Sequence, residues 1–513
     1  MPAKTIMIQG TGSHVGKSVI TAALCRIFLQ DGYRVAPFKS QNMALNSFVT
    51  EDGGEMGRAQ VVQAEACRLK PTVDMNPILI KPTADTNAQI IVKGKPIGNM
   101  SVEDYINFKK DAMAIVKESL SKLMNEYDVV VIEGAGSPAE INLKGHDIVN
   151  MKIAELANAP VLLAGDIDNG GVFAWFVGTM ELLSLDEKER VKGFIINKFR
   201  GRRELLNSGI DFLEDKTGKK VVGVIPFFRD INIMEEDSVN FGIRNAKFGI
   251  TKSAIRNPQS AIRINVIMLP HISNFTDFDP FEMETDVRLG YVRRLEEIDS
   301  PDVLIIPGSK NTISDLQYLK SSGIYGKIRE FVANGTELIG ICGGYQMLGK
   351  MIIDKDGMES DSSTEEGFGF LDMVTSFHPE KATYQVNAVH IDSGIEVSGY
   401  EIHMGISSIN PKSEIRNPKS HVPVFKIIRR GTDKVELMDG LKTEDGRIWG
   451  TYMHGIFEND SFRREFLDSV RIKKGLQPLK IAAKYSREDE YDKLADVVRN
   501  NMNMDEIYRI VFG

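Results

Sequence analysis

"GTGSHVGKS" occupies residues 10–18, between the apolar run "TIMIQG" (5–10) and the helical stretch "SVITAALCRIFLQDG" (18–32). A short buried strand, a glycine-rich turn and a helix with apolar residues at helical spacing are how a parallel sheet begins. The turn also has a chemical meaning. Backbone N–H groups of Gly10, Thr11, Gly12 and Gly16, together with the positive end of the helix dipole, can cradle phosphates. Lys17 would reach the terminal phosphates, and the Ser18 hydroxyl would ligate Mg²⁺. The spacing departs from the common phosphate loop, because five residues rather than four separate Gly10 from Gly16.

Outward from this loop, short β-rich runs alternate with helical stretches. Strands are expected in "YRVAPFKS" (33–40), "YDVVVIEGAG" (127–136), "APVLLAGDID" (159–168), "VKGFIINKF" (191–199) and "KVVGVIPF" (220–227). Continuous apolar strands separated by helices predict a parallel sheet covered on both faces. A second α/β series starts at "IRINVIMLP" (262–270), continues through "DVLIIPGSKNT" (302–312) and reaches "GRIWGTYMHGIFEND" (446–460). The expected layout is therefore a first domain over 1–240, a linker with a polar insertion over 241–261, a second domain over 262–460 and a helical extension over 461–513. The extension, which ends in "YDKLADVVRNNMNMDEIYRIVFG", is expected to pack on the second domain. "IRNPQS" (255–260) nearly repeats as "IRNPKS" (415–420). Two copies do not make a solenoid, and both read as polar surface insertions.

The chain has 513 residues, enough for two or three domains, with 42% hydrophobic and 26% charged residues. A net charge of −8 argues against a general nucleic-acid binder. The three cysteines, Cys25, Cys67 and Cys342, show no C-x-x-C spacing, so a reducing cytoplasm is expected, with neither a zinc site nor a disulfide framework. The opening "MPAKTIMIQGTG" is not expected to be a signal peptide, and no run approaches the ~20 apolar residues of a membrane span.

Cys342 lies in "TELIGICGGYQMLG" (336–349), where Gly340-Ile341-Cys342-Gly343-Gly344 has the form G-x-nucleophile-x-G. In such a strand-to-helix elbow the nucleophile sits on a strained bend with its side chain projecting outward. Glycines flank it because a Cβ would collide with neighbouring backbone. A thiolate needs a proton partner. His454, in "WGTYMHGIFEND", follows an expected strand and precedes a glycine; His403, in "GYEIHMG", is the rival.

These motifs carry resemblances. The five-residue loop resembles that of dethiobiotin synthetase and its relatives, which use ATP to activate a carboxylate or carbamate. By that resemblance Lys39 in "PFKSQNMALNS" holds the phosphoryl-accepting group, Glu133 in "VVIEGAGSPAEINL" helps Ser18 hold Mg²⁺, and Asn197 in "IINKFRG" contacts adenine. The elbow and His454 resemble a class I glutamine amidotransferase, in which the cysteine attacks the glutamine amide and the histidine manages the protons. That likeness implies an oxyanion hole from backbone amides near Gly308 and Gly343. Typical members have a glutamate two residues beyond the histidine, where this chain has Ile456. Glu401 and Glu458 are the candidates for the third position.

The fold class implied is α/β: an N-terminal P-loop, dethiobiotin-synthetase-like parallel-sheet domain followed by a glutamine amidotransferase-like domain. Together the halves resemble the ATP- and glutamine-dependent amidases of cobalamin biosynthesis. The stretches that carry this are "KSQNMALNSFVTEDGGEMGRAQVVQAEA" (39–66), "LAGDIDNGGVFA" (163–174), "SNFTDFDPF" (273–281) and "GYEIHMG" (399–405). The resemblance implies ATP, glutamine and a corrinoid as substrates: adenosylcobyrinic acid a,c-diamide, amidated on its b, d, e and g carboxylates, or in a sister branch cobyrinic acid, amidated on a and c. A ParA/MinD-like ATPase switch would account for the first half alone, but such a switch has no need of the cysteine elbow. Oligomeric state, the order of amidations and the corrin contacts are not legible.

Overall fold

The computed structural model describes residues 2–83, 87–228, 231, 261–359, 362–409, 422–479 and 486–513. The repeats at 255–260 and 415–420, and all but the last residue of the 241–261 linker, lie outside them. The chain divides into two compact units: Met1–Ala44, Gly54–Glu236 and Ser486–Gly513 form the first, and Leu45–Gly53 with Asp237–Tyr485 the second.

The first unit is built on six parallel strands, in the spatial order Lys220–Pro226, Val191–Phe199, Val161–Asp166, Lys4–Gly10, Val129–Glu133 and Val35–Phe38. The expected strands are all present. Their apolar runs are continuous because both sheet faces are covered: Ile6, Ile8, Val130, Ile132, Leu162 and Ile195 are all fully buried. The strand Lys4–Gly10 lies centrally, so the loop after it emerges at the carboxyl edge of the sheet, with Glu133 and Asp166 ending the strands on either side. Ligands of open α/β sheets bind at that edge.

The C-terminal extension corrects the expectation. The helix Asp460–Lys473 stays with the second unit, where Arg463, Arg464 and Arg471 bond to Glu284 and Asp286. The helices Arg487–Asn501 and Met504–Phe512 belong to the first unit instead. Arg26 explains why. It is buried in the helix Lys17–Gln30 and needs anions, which Glu488 and Asp492 supply at 2.7 Å each. Phe512 also stacks on Tyr33 with ring centroids 4.9 Å apart.

The second unit has a parallel sheet ordered Val287–Val292, Ile262–Ile267, Val303–Ile306, Glu337–Ile341 and Ile448–Thr451, closed by the antiparallel edge Leu441–Lys442. A second sheet centres on the long antiparallel pair Met373–His390 and Glu396–Ile409, to which Met453–His454 adds. The sequence reads as irregular there because a register shift between Phe377 and Ala382 breaks the alternation.

Candidate active sites

In the first unit, the phosphate loop is held from below. Asn197 Nδ2 donates to Val15 O at 2.8 Å, and Lys198 Nζ donates to His14 O at 2.7 Å. Gly16 has φ +97°, and a Cβ there would come within 2.1 Å of Asn197 Nδ2, so this position requires glycine. Asn197 thus braces the loop. Thr11 N donates to Ala164 O at 2.9 Å. Lys17 Nζ donates to Gly12 O at 2.9 Å and Gly136 O at 3.3 Å, curling over the loop.

Two of the predicted residues, Ser18 and Lys39, converge on the carboxylate of a third, Glu133. Glu133 Oε1 accepts from Ser18 Oγ at 2.8 Å and from Lys39 Nζ at 3.0 Å, while Oε2 accepts from Gln63 Nε2 at 2.6 Å. Glu133 and Lys39 are both almost fully buried, an arrangement tolerable only because the charges face each other and Glu133 accepts from further donors. The sequence reading missed Gln63, which lies one helical turn beyond Gln60 in the helix Arg58–Ala66, where Gln60 Nε2 also reaches Glu133. The group suits Mg²⁺, which takes oxygen ligands and retains much of its shell from water and phosphate. Ser18 and Glu133 supply hard oxygens beside the loop, and space above Gly12 is open for 4 Å. Among the described residues no cluster of three or more His, Cys, Asp or Glu forms a separate metal cage.

In the second unit, Cys342 ends the strand Glu337–Ile341 and starts the helix Gly343–Leu348 with φ 50° and ψ −107°. A positive φ at a non-glycine residue is the strain expected of a nucleophile elbow. The flanking glycines are sterically compelled: a Cβ on Gly344 would lie 1.9 Å from Ile306 O, and one on Gly340 2.7 Å from Gly344. Cys342 N donates to Thr451 O at 2.8 Å, and Sγ lies 3.7 Å from Ile402 O.

His454 is brought to this elbow, and the carboxylate on its Nδ1 is that of Asp277. His454 Nδ1 donates to Asp277 Oδ2 at 2.6 Å, and Gly455 N donates to Asp277 Oδ1 at 3.0 Å. Glu401 instead takes Arg430 through two bonds of 2.7 and 2.9 Å and lies 3.7 Å from His403 Nε2. Glu458 sits in the short turn Ile456–Glu458 just beyond His454. Asp277 was missed because it is 177 positions from its partner. The signal available was an acid buried within the apolar "SNFTDFDPF".

Burial alone would push the His454 imidazolium down. The Asp277 carboxylate and the Cys342 sulfur outweigh it and raise His454 to about 10. Its Nε2 is buried and makes no hydrogen bond among the described residues. Tyr400 stacks on the ring at 5.3 Å and 20°. Both predicted oxyanion glycines are adjacent: a Cβ on Gly308 would come 3.1 Å from His454 Cε1, and one on Gly343 2.9 Å from Ser309 N. His403 is occupied elsewhere, donating from Nδ1 to Gly405 O at 2.8 Å and stacking on Tyr452 at 3.8 Å.

Residues 6–240 match the family described as the CobQ/CobB/MinD/ParA nucleotide binding domain, and residues 263–462 the CobB/CobQ-like glutamine amidotransferase domain. Over 99% of both chains, the sequence is 50% identical to a cobyric acid synthase of Caldanaerobacter subterraneus subsp. tengcongensis. It is 51% identical to one of Clostridium botulinum strain 657, again over 99% of each chain. The chain belongs to the cobyric acid synthase family. Like its family it is a glutamine-dependent amidoligase, with a nucleotide-binding half, an amidotransferase half and small-molecule substrates. A solved glutamine amidotransferase shares 16% identity over 40% of this chain and 98% of its own, with a TM-score of 0.30, too slight a likeness to build on. No helix among the described residues is long and apolar enough to cross a membrane.

Proposed function

We propose that this member of the cobyric acid synthase family amidates the b, d, e and g carboxylates of adenosylcobyrinic acid a,c-diamide, using ATP and ammonia drawn from glutamine. A substrate carboxylate oxygen attacks the γ-phosphorus of ATP, ADP departs, and an acyl phosphate forms. Ammonia then attacks the acyl carbon, phosphate leaves and a proton is lost. Lys17 and the loop amides hold the phosphates, and Lys39 neutralises the carboxylate being phosphorylated. Asn197 keeps the loop in shape to receive the nucleotide. Ser18 and Glu133 would hold Mg²⁺, which supplies charge neutralisation between the phosphates.

In the other half, Cys342 attacks the side-chain amide carbon of glutamine, His454 protonates the departing ammonia, and amides near Gly308 and Gly343 receive the developing oxyanion. Water then cleaves the thioester to release glutamate. Asp277 holds His454 in place and keeps it protonated. The observation that carries the reading is the occurrence in one chain of two sites: Ser18, Lys39 and Glu133 converging beside a phosphate loop, and a strained Cys342 beside the His454–Asp277 pair. Three free cysteines suit a reducing cytoplasm. The test is mass spectrometry of the purified protein's products with ATP, Mg²⁺, glutamine and either cobyrinic acid or its adenosylated a,c-diamide. Stepwise amidation of the diamide is expected; amidation of cobyrinic acid alone would reassign the chain to the a,c branch.

A further inference from the structure

The segment Leu45–Gly53 is packed into the second unit, although the chain on both sides, ending at Ala44 and resuming at Gly54, belongs to the first. This strap grips the parts that surround the cysteine–histidine pair. Asn46 Oδ1 accepts from Phe275 N at 3.2 Å, and Ser47 N donates to Asn274 Oδ1 at 3.0 Å, a reciprocal clamp that is buried throughout. Asn274 has φ 51°, and its carbonyl accepts from Asp277 N at 3.1 Å, so the clamp fixes the turn that presents Asp277. On the other flank, Tyr400 donates its hydroxyl to Ser47 O at 3.4 Å and packs against the Phe48 ring at 5.3 Å. Tyr400 is the residue stacked on His454. Val49 forms an apolar cluster with Tyr400 and Ile402, whose carbonyl lies beside Cys342 Sγ.

We propose that this strap positions His454 and Asp277, and that it ties glutamine hydrolysis to the acceptor-binding loop from which it continues. The inference rests on the glutaminase reading of Cys342 and His454. The connection is covalent: "KSQNMA" (39–44) joins Lys39, bonded to Glu133, to the first residue of the strap. Occupancy that shifts Lys39 pulls on Asn46 and Phe48. Among the described residues, the buried Asn46 Nδ2 of the strap has no acceptor. A buried unpaired donor is costly, so an arrangement that paired it would be favoured.

The test measures glutamine hydrolysis by the full chain with and without ATP, Mg²⁺ and adenosylcobyrinic acid a,c-diamide, alongside synthesis from free ammonia. Wild type is expected to hydrolyse glutamine about tenfold faster when the synthetase substrates are present, a usual size for coupled sites. Asn46→Ala and Phe48→Ala should reduce that ratio to about twofold or less while ammonia-dependent synthesis holds. Phe48→Tyr, which keeps a ring on Tyr400, should retain the wild-type ratio and so separates coupling from folding. Variants that keep the full ratio overturn the coupling, and an equal loss of hydrolysis with and without synthetase substrates would leave the strap only its positioning of His454 and Asp277. Cys342→Ala distinguishes the two readings: if it still hydrolyses glutamine, the glutaminase reading fails whatever the strap does.

Discussion

His454 and His403 show how neighbours decide what a side chain can do. His454 has the Asp277 carboxylate behind Nδ1 and the Cys342 sulfur beside it, while His403, whose Nε2 likewise makes no hydrogen bond among the described residues, is stacked on Tyr452 and lies 3.7 Å from Glu401. Removing a positioned proton-transfer group costs about 10²–10⁴-fold. His454→Ala should therefore cut glutamine hydrolysis by about that factor, and His403→Ala by less than about tenfold. Labelling of Cys342 by a glutamine-mimicking electrophile measures the same difference directly. Asp277→Asn has a pH signature. The folded His454 value, about 10, lies above the ordinary 6.5, so its stabilising contribution is complete below pH 6.5 and is lost as pH rises toward 10. Without the carboxylate, burial dominates and the raised value falls. Denaturation midpoints of wild type and Asp277→Asn should differ most near pH 6 and converge near pH 10; a gap that widens with pH would contradict the ion pair.

At the scale of elements, the elbow depends on backbone meeting backbone. Gly344→Ala would force a Cβ to 1.9 Å from Ile306 O, with no flexible side chain to yield. A loss of about 3 kcal/mol or more is expected, together with loss of glutaminase. Gly326, in the helix Ile324–Ala333, has nothing within 4 Å of a Cβ and no positive φ. Gly326→Ala should stabilise the second unit by roughly 0.5–1 kcal/mol. Thermal denaturation of the two variants checks both signs. These same glycines explain what could be read from the sequence. Close packing around Cys342 leaves a local spacing, as does the phosphate loop between a strand and a helix. Local rules also sufficed for the parallel strands, whose apolar runs record burial on two faces. What escaped was long-range: Asp277 has no local signature beyond an acid in an apolar run, and its pairing depends on a fold that returns after 177 positions. The two last helices were misplaced for the same reason, since only the buried Arg26 and the half-buried Tyr33 show where amphipathic faces of the tail belong.

For the whole molecule, the proposed function is a division of labour: one unit would make a carboxylate reactive, and the other would make ammonia. Each unit has its own sheet and its own converging polar site. On the proposed function, the charge at Lys17 serves phosphoryl transfer whatever the nitrogen source, whereas Cys342 serves glutamine alone. The most direct measurement is amidated corrinoid formed by wild type, Cys342→Ala and Lys17→Ala, each supplied in parallel with glutamine or with free ammonia. Cys342→Ala is predicted to lose glutamine-dependent synthesis by at least about 10³-fold and to keep the ammonia-dependent reaction within about twofold, while Lys17→Ala loses both. Equal loss of both reactions in Cys342→Ala, or near-normal ammonia-dependent turnover in Lys17→Ala, would contradict the account.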